Sequence, residues 1–140
     1  MASPTTVQIA IAILRQGNLY LLQQRSGEAE IGAAGLAGWF GGKIDGAEGA
    51  LRAIVREIGE ETNLLLAPES FRYMGTVEVD SDMKLQPVRI VAQVFAADVP
   101  SGKTVLAKEG ALVAMTREEM HANLHTLTPA TRAAIERLMR

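Results

Sequence analysis

The chain has 140 residues, with 14 Lys and Arg against 16 Asp and Glu, for a formal net charge of −2. That length fits a single domain over residues 1–140 that buries roughly 68–70% of its unfolded surface, and near-neutral charge with few aromatic side chains argues against a nucleic-acid polymer as partner. There are no cysteines, which excludes disulfides, thiolate metal sites and cysteine nucleophiles; no run reaches the ~20 apolar residues of a membrane span and no targeting segment is evident, so a cytoplasmic protein is expected.

Residues 1–5 read as a frayed tail. Val7 to Leu14 is apolar and β-branched, Gly17-Asn18 signals a turn, and Tyr20 to Gln24 reads as a second strand, together a hairpin. From Ser26 to Gly42 glycines fall at 27, 32, 35, 38, 41 and 42, too densely for regular structure. This stretch is expected to be a loop whose backbone approaches something closely. Asp45 to Thr62 is the clearest helix: Asp45 and Glu48 fit an N-cap with a glutamate reaching back, and Leu51, Ile54, Val55 and Ile58 form an apolar stripe. Phe71 to Val79 and Val88 to Val99 read as strands around a polar loop at Asp80–Lys84, and Ala111 to Met115 as a short strand. A closing helix runs from Thr128 or Thr131 to Met139. This order predicts an α/β fold with a mixed sheet between helices.

The long helix carries Glu57, Glu60 and Glu61 at i, i+3, i+4, within roughly a 100° arc beside the apolar stripe. Like charges at that spacing destabilise an isolated helix by roughly 0.2–0.5 kcal/mol per pair, and the helix dipole disfavours anions in a C-terminal half. A hard cation would remove the penalty, since Mg²⁺ takes oxygen ligands from one or two carboxylates and from substrate phosphates. On the three glutamates alone a solvated face is the favoured reading, with Arg56 and Glu60 as an i, i+4 ion pair. Gly41-Gly42-Lys43 directly before the helix shifts the balance, because exposed backbone groups there can face the carboxylates.

Gly42, Glu48, Arg56, Glu57, Ile58, Glu60, Glu61 and Leu64 resemble the Nudix box, G-x5-E-x7-R-E-U-x-E-E-x-G-U. Every fixed position matches except the last glycine, where Asn63 stands, the next-best residue for a left-handed helix end. Six such matches arise by chance on the order of 10⁻⁷ per window. The resemblance implies a Nudix-type α/β/α sandwich that hydrolyses a nucleoside diphosphate linked to another moiety, using Mg²⁺ or Mn²⁺. It implies Glu57, Glu60 and Glu61 as metal ligands joined by the Gly41 carbonyl, Arg56 orienting the glutamates, and Glu48 locking loop to helix. Lys108-Glu109-Gly110 matches the place of a further glutamate in MutT-type members. Glu109 is thus a candidate metal ligand or base, or an exposed loop glutamate; the general base stays open among Glu57, Glu60 and Glu109. Arg25 resembles the arginine that grips substrate phosphate, and is otherwise a strand-end charge. Lys43 either neutralises phosphate or covers the helix start.

The substrate is less legible. Phe40-Gly41-Gly42-Lys43 is similar to animal oxidised-purine triphosphatases, but Gly38 stands where those carry Asn. Bacterial MutT enzymes place a purine-reading Asn after Pro-Ala; here Thr131 follows Pro129-Ala130, able to make one hydrogen bond but not the paired contact of an amide, and also able to cap the helix. Trp39 either stacks on a base or anchors its loop. The small-molecule nucleotide expected first is a (d)NTP, an oxidised or non-standard purine among them; ADP-ribose, a nucleotide sugar or a dinucleotide are alternatives. A nucleotide-sensing domain without turnover is the alternative of another class, against which three intact glutamates argue. The family resemblance leaves a homodimer open, with no apolar surface stripe to argue for it. Ser101-Gly102-Lys103-Thr104 lacks the first glycine of a P-loop and reads as a turn. His121 and His125 lack the glutamate of a zinc helix.

Overall fold

A computed structural model of the protein describes residues 4–25, 35–83 and 85–139. Its centre is β1 (Thr5–Gln16), which pairs antiparallel with β2 (Leu19–Gln24) and parallel with β6 (Gln86–Asp98), the latter over a register from Thr5↔Val88 to Arg15↔Asp98. The sheet continues from β6 to β5 (Arg72–Met83) on one side and from β2 to β3 (Ala37–Gly38) and β7 (Ala111–Met115) on the other. With β4 (Phe40–Lys43) beside β1, it has seven strands and is mixed, the expected α/β/α arrangement.

The unbroken apolar run of β1 follows from burial on both faces. Ile9, Ile11 and Ile13 point into one core with the buried face of α3 (Pro129–Leu138), while Ala10, Ala12 and Leu14 point into another with Ile54 and Ile58 of α1 (Ala50–Glu61). The helices thus lie on opposite faces of the same strand. A short helix, α2 (Arg117–Ala122), adds Met120 to the α3 side; Thr116 caps it through a full capping box with Glu119. No helix among the described residues is long and apolar enough to cross a membrane.

Several expectations need correction. Thr5 belongs to β1 rather than to a frayed tail. The glycine-rich stretch is described from Gly35 onward, and there it is largely strand: Ala37–Gly38 pairs with β2 and Phe40–Lys43 with β1; Ser26–Ala34 lies outside the described residues. The polar Asp80–Met83 stretch is strand too, because Asp80 lies opposite Arg89 and is bonded to it at 3.0 Å. Alternating outward charge on an edge strand disguises it as loop. Helix α1 starts at Ala50, not Asp45, with Gly49 at its N-cap position. Glu48 does reach back, its Oε1 accepting from Asp45 N–H at 3.1 Å, but Glu48 N–H donates to the Asp45 backbone carbonyl at 2.8 Å rather than to its side chain, and the pair closes a turn ahead of the helix.

The buried side of α1 is Ala53, Ile54, Ile58 and Glu61, and Leu51 is 41% exposed. Ile54→Ala should therefore cost about 2–5 kcal/mol, whereas Leu51→Ala should stay within about 0.5 kcal/mol of the parent. Urea unfolding of the two variants measures the difference; equal losses would contradict this orientation of the helix.

Candidate active site

The acidic half of α1 faces β4 across a narrow gap that glycine makes possible. A Cβ on Gly42 would lie 2.6 Å from Glu57 Oε1, so the carboxylate occupies space that any side chain there would fill. The register of β4 on β1 makes Gly42 the hydrogen-bonded partner of Ala10 and puts Gly41, opposite Ile11, at a non-hydrogen-bonded position. Gly41 N–H instead donates to Glu61 Oε1 at 2.8 Å. Gly41 has φ +149, and a Cβ there would sit 2.1 Å from the Ala10 carbonyl oxygen. Only glycine allows both the conformation and the approach.

Arg56 organises the remaining carboxylates. Its Nε and Nη2 donate to the two oxygens of Glu48, each at 2.9 Å, a bidentate pairing. Nη1 donates to Glu57 at 3.0 Å and to Glu60 at 3.3 Å, and Nη2 also reaches the Lys43 carbonyl at 3.1 Å and the Asp45 carboxylate at 3.3 Å. The guanidinium bonds hold Glu48 down to about 2, and these carboxylates push Arg56 upward. Glu57 is raised, chiefly by burial, against the pull of Arg56.

Glu61 is unlike the others. It continues the stripe of Ile54 and Ile58 at i+7 and is 8% exposed, so a carboxylate holds a core position. Burial, then repulsion from Glu57, raises it to about 7, against the Gly41 N–H bond and the charge of Arg25. The Lys108-Glu109-Gly110 loop lies beside the end of the helix although the two are far apart in sequence: Lys108 N–H donates to the Glu61 carbonyl at 2.7 Å, and Glu109 adds to the repulsion on Glu61.

Lys43 is exposed on β4, its backbone carbonyl tied to Arg56. Arg25 lines a cavity of about 30 Å³ with Ile9, Ile11, Trp39, Ile90 and Thr128 to Thr131. Its buried Nε has no partner among the described residues, and nor has Trp39 Nε1. Trp39 is 1% exposed and meets Tyr20 edge-on at 6.0 Å. Thr128, not Thr131, caps α3. Thr131 lies inside the helix, where its hydroxyl accepts from Trp39 N–H at 3.1 Å and from the Thr128 hydroxyl at 2.7 Å.

Asn63 departs from its expected role. Leu85 is the sole non-glycine with positive φ among the described residues, so Asn63 is not left-handed. Its amide instead bonds the passing chain: Oδ1 accepts from Leu106 N–H at 2.8 Å and Nδ2 donates to the Thr104 carbonyl at 2.9 Å. Gln23, buried on β2, donates to the Glu109 carbonyl at 3.1 Å. Neither contact has a local sequence signal, since each joins segments more than 40 residues apart.

The donor set is all oxygen, with three carboxylates on one helix and a fourth on the adjoining loop, which suits Mg²⁺ or Mn²⁺ rather than a softer ion. Among the described residues no three acidic side chains yet converge as a cage. Arg56 and Gly41 N–H hold them instead. The Gly42 recess that accommodates Glu57 and the desolvated Glu61 carboxylate both fit a divalent cation in the cleft.

Without added cation, Glu61→Gln should stabilise the protein. The folded carboxyl titrates near 7 against 4.5 unfolded, so the folded state holds the proton more tightly and stability falls as pH rises between those values. The variant's advantage should be on the order of 3 kcal/mol above pH 7 and disappear near pH 4.5. Unfolding in EDTA at pH 5 and pH 8 reads this; a pH-independent difference would contradict it.

Several solved structures share this fold. A MutT protein from Methanosarcina mazei Go1 superposes with a TM-score of 0.81 at 21% identity, over 100% of this chain and 97% of that one. A bifunctional NMN adenylyltransferase/ADP ribose pyrophosphatase from Francisella tularensis, complexed with AMP and a Mn ion, gives 0.77 at 17% identity over 99% of this chain and 42% of that one. The dihydroneopterin triphosphate pyrophosphohydrolase of E. coli gives 0.71 at 14% identity, covering 96% and 98%. These identities establish a shared fold, and no curated protein matches the sequence. The NUDIX domain model matches residues 4–138. The chain belongs to the Nudix hydrolase family.

Proposed function

We propose that this protein hydrolyses a phosphoanhydride in a nucleoside diphosphate linked to a second group, releasing a nucleoside monophosphate and a phosphate-bearing fragment. The observation that carries the reading is the arrangement of Glu57, Glu60 and Glu61 against the Gly41-Gly42 backbone, with Arg56 bridging Glu48, Glu57 and Glu60. Glu57, Glu60, Glu61, the Gly41 carbonyl and Glu109 would hold Mg²⁺, or Mn²⁺ in its place. Such an ion supplies charge neutralisation for phosphate oxygens and lowers the pKa of water.

The residues divide the remaining work. Arg56 keeps Glu57 and Glu60 in fixed rotamers by charge-assisted bonds and is anchored by its bidentate grip on Glu48. Glu57 or Glu60, with Glu109 as the further candidate, accepts the proton of the attacking water. Arg25 stands between the acidic cleft and the cavity under Trp39, and its Nε–H, without a partner among the described residues, suits a phosphate oxygen between base and scissile bond. Lys43, on the rim, adds positive charge for the departing phosphate end.

The favoured substrate is a (d)NTP, an oxidised or non-standard purine among them. Thr131 weakens any strict purine reading, because its oxygen already accepts two hydrogen bonds and it cannot present the two-point contact of an amide. ADP-ribose, a nucleotide sugar and a dinucleoside polyphosphate are the alternatives. The Francisella protein named for ADP-ribose and the E. coli protein named for dihydroneopterin triphosphate share this fold, so the fold does not choose among them.

Incubation with Mg²⁺ and a panel of ordinary and oxidised dNTPs, ADP-ribose, a diadenosine polyphosphate and a nucleotide sugar tests this directly. Turnover of one class is expected, abolished by EDTA and reduced by roughly 10²-fold or more in Glu57→Gln. Full Mg²⁺-dependent turnover in that variant would overturn the assignment. Tight nucleotide binding without product from any member would favour a sensor.

A further inference from the structure

The segment from Thr104 to Gly110 is tied down on both sides with more bonds than a surface loop requires. On the α1 side, Thr62 bridges to Ala107, Asn63 bonds both Thr104 and Leu106 through its side chain, and Lys108 N–H donates to the Glu61 carbonyl at 2.7 Å. The Lys108 ammonium also reaches the Gly59 carbonyl at 3.0 Å, where it meets the negative end of the helix. On the β2 side, Gly110 has φ +66 and lies so close that a Cβ would be 2.2 Å from the Gln24 carbonyl oxygen. Gln23, 4% exposed and next to the fully buried Leu22, donates to the Glu109 carbonyl.

Two of these residues are poor choices for folding alone. A buried amide beside Leu21 and Leu22 could be leucine, and the Gln23 Oε1 has no partner among the described residues. Asn63 stands where the box has glycine, and its side chain spans to a segment 41 to 43 residues away. Both act on the loop that carries Glu109, whose neighbour Lys108 donates its N–H to the Glu61 carbonyl.

We propose that Asn63 and Gln23 are positioning residues that clamp the 104–110 segment from opposite sides, so that the Glu109 carboxylate is delivered to the same cation as Glu57, Glu60 and Glu61. The clamp rests on the reading of this cleft as a divalent-cation site. It replaces the box glycine with a tether in this chain, and it makes the fourth carboxylate part of a preformed site rather than of a free loop.

Mn²⁺ binding, read from the electron paramagnetic resonance of the free ion, tests the clamp without substrate. Asn63→Gly, Gln23→Leu, Glu109→Gln and Glu61→Gln are compared, together with both tether variants in the Glu109→Gln background. Each tether variant should weaken Mn²⁺ binding several-fold, and neither should weaken it further once Glu109 is gone. Hydrogen exchange at the Lys108 amide should accelerate in Asn63→Gly. Unchanged Mn²⁺ affinity in Asn63→Gly, or losses that multiply with that of Glu109→Gln, would overturn the proposal; Asn63→Gly decides even if Gln23→Leu fails to fold. Normal affinity in Glu109→Gln with none in Glu61→Gln would overturn the clamp and leave the cleft reading intact. No Mn²⁺ binding by the parent protein would overturn both.

Discussion

A single guanidinium holds the acidic cleft together. Arg56 is within bonding or ion-pair distance of Asp45, Glu48, Glu57 and Glu60 and also takes the Lys43 carbonyl, so one positive charge serves four carboxylates from a turn and a helix. Its five donors in a planar fork allow what a lysine could not: two bonds to Glu48 and separate ones to the two glutamates beyond. The interaction fixes the turn before α1 relative to the helix, and with it β4. The local charge balance stays negative, which suits the divalent cation proposed for this cleft.

Glu61 shows the cost of building that cleft into a core. The position continues the Ile54 and Ile58 stripe, where folding alone would favour another aliphatic residue. A carboxylate there loses hydration and faces Glu57, offset only in part by the Gly41 N–H and by Arg25. Stability is thereby surrendered at the site that chemistry needs, a common feature of functional clefts. The glycines before the helix are the other half of the arrangement: Gly41 gives the N–H bond and Gly42 the space for Glu57.

The fold and the acidic helix were largely legible in the chain, because they rest on short-range pattern. The apolar run of β1, the Gly17-Asn18 turn and the box from Gly42 to Leu64 each lie within one contiguous stretch. What sequence misplaced depends on distant partners. The strand character of Phe40–Lys43 comes from pairing with Ala12 to Ile9, and that of Asp80–Met83 from pairing with Arg89 and its neighbours. Leu51 fits the helical period but falls on its rim, and Glu61 takes the buried place that the apolar pattern assigned elsewhere. Asn63, taken by its backbone preference alone, fits a helix end. Its side-chain bonds to Thr104 and Leu106 are invisible until the chain is folded.

The central claim is that the carboxylates of α1, the Gly41-Gly42 backbone and the Glu109 loop form one cation site. Titrating Mn²⁺ into ¹⁵N-labelled protein and following the paramagnetic loss of amide signals tests it most directly. The account predicts early, selective loss at Gly41, Gly42, Glu57 to Glu61 and Glu109, while α2, α3 and the β5–β6 hairpin keep their signals. Loss centred elsewhere, such as around His121 and His125, or uniform broadening without a focus, would contradict it.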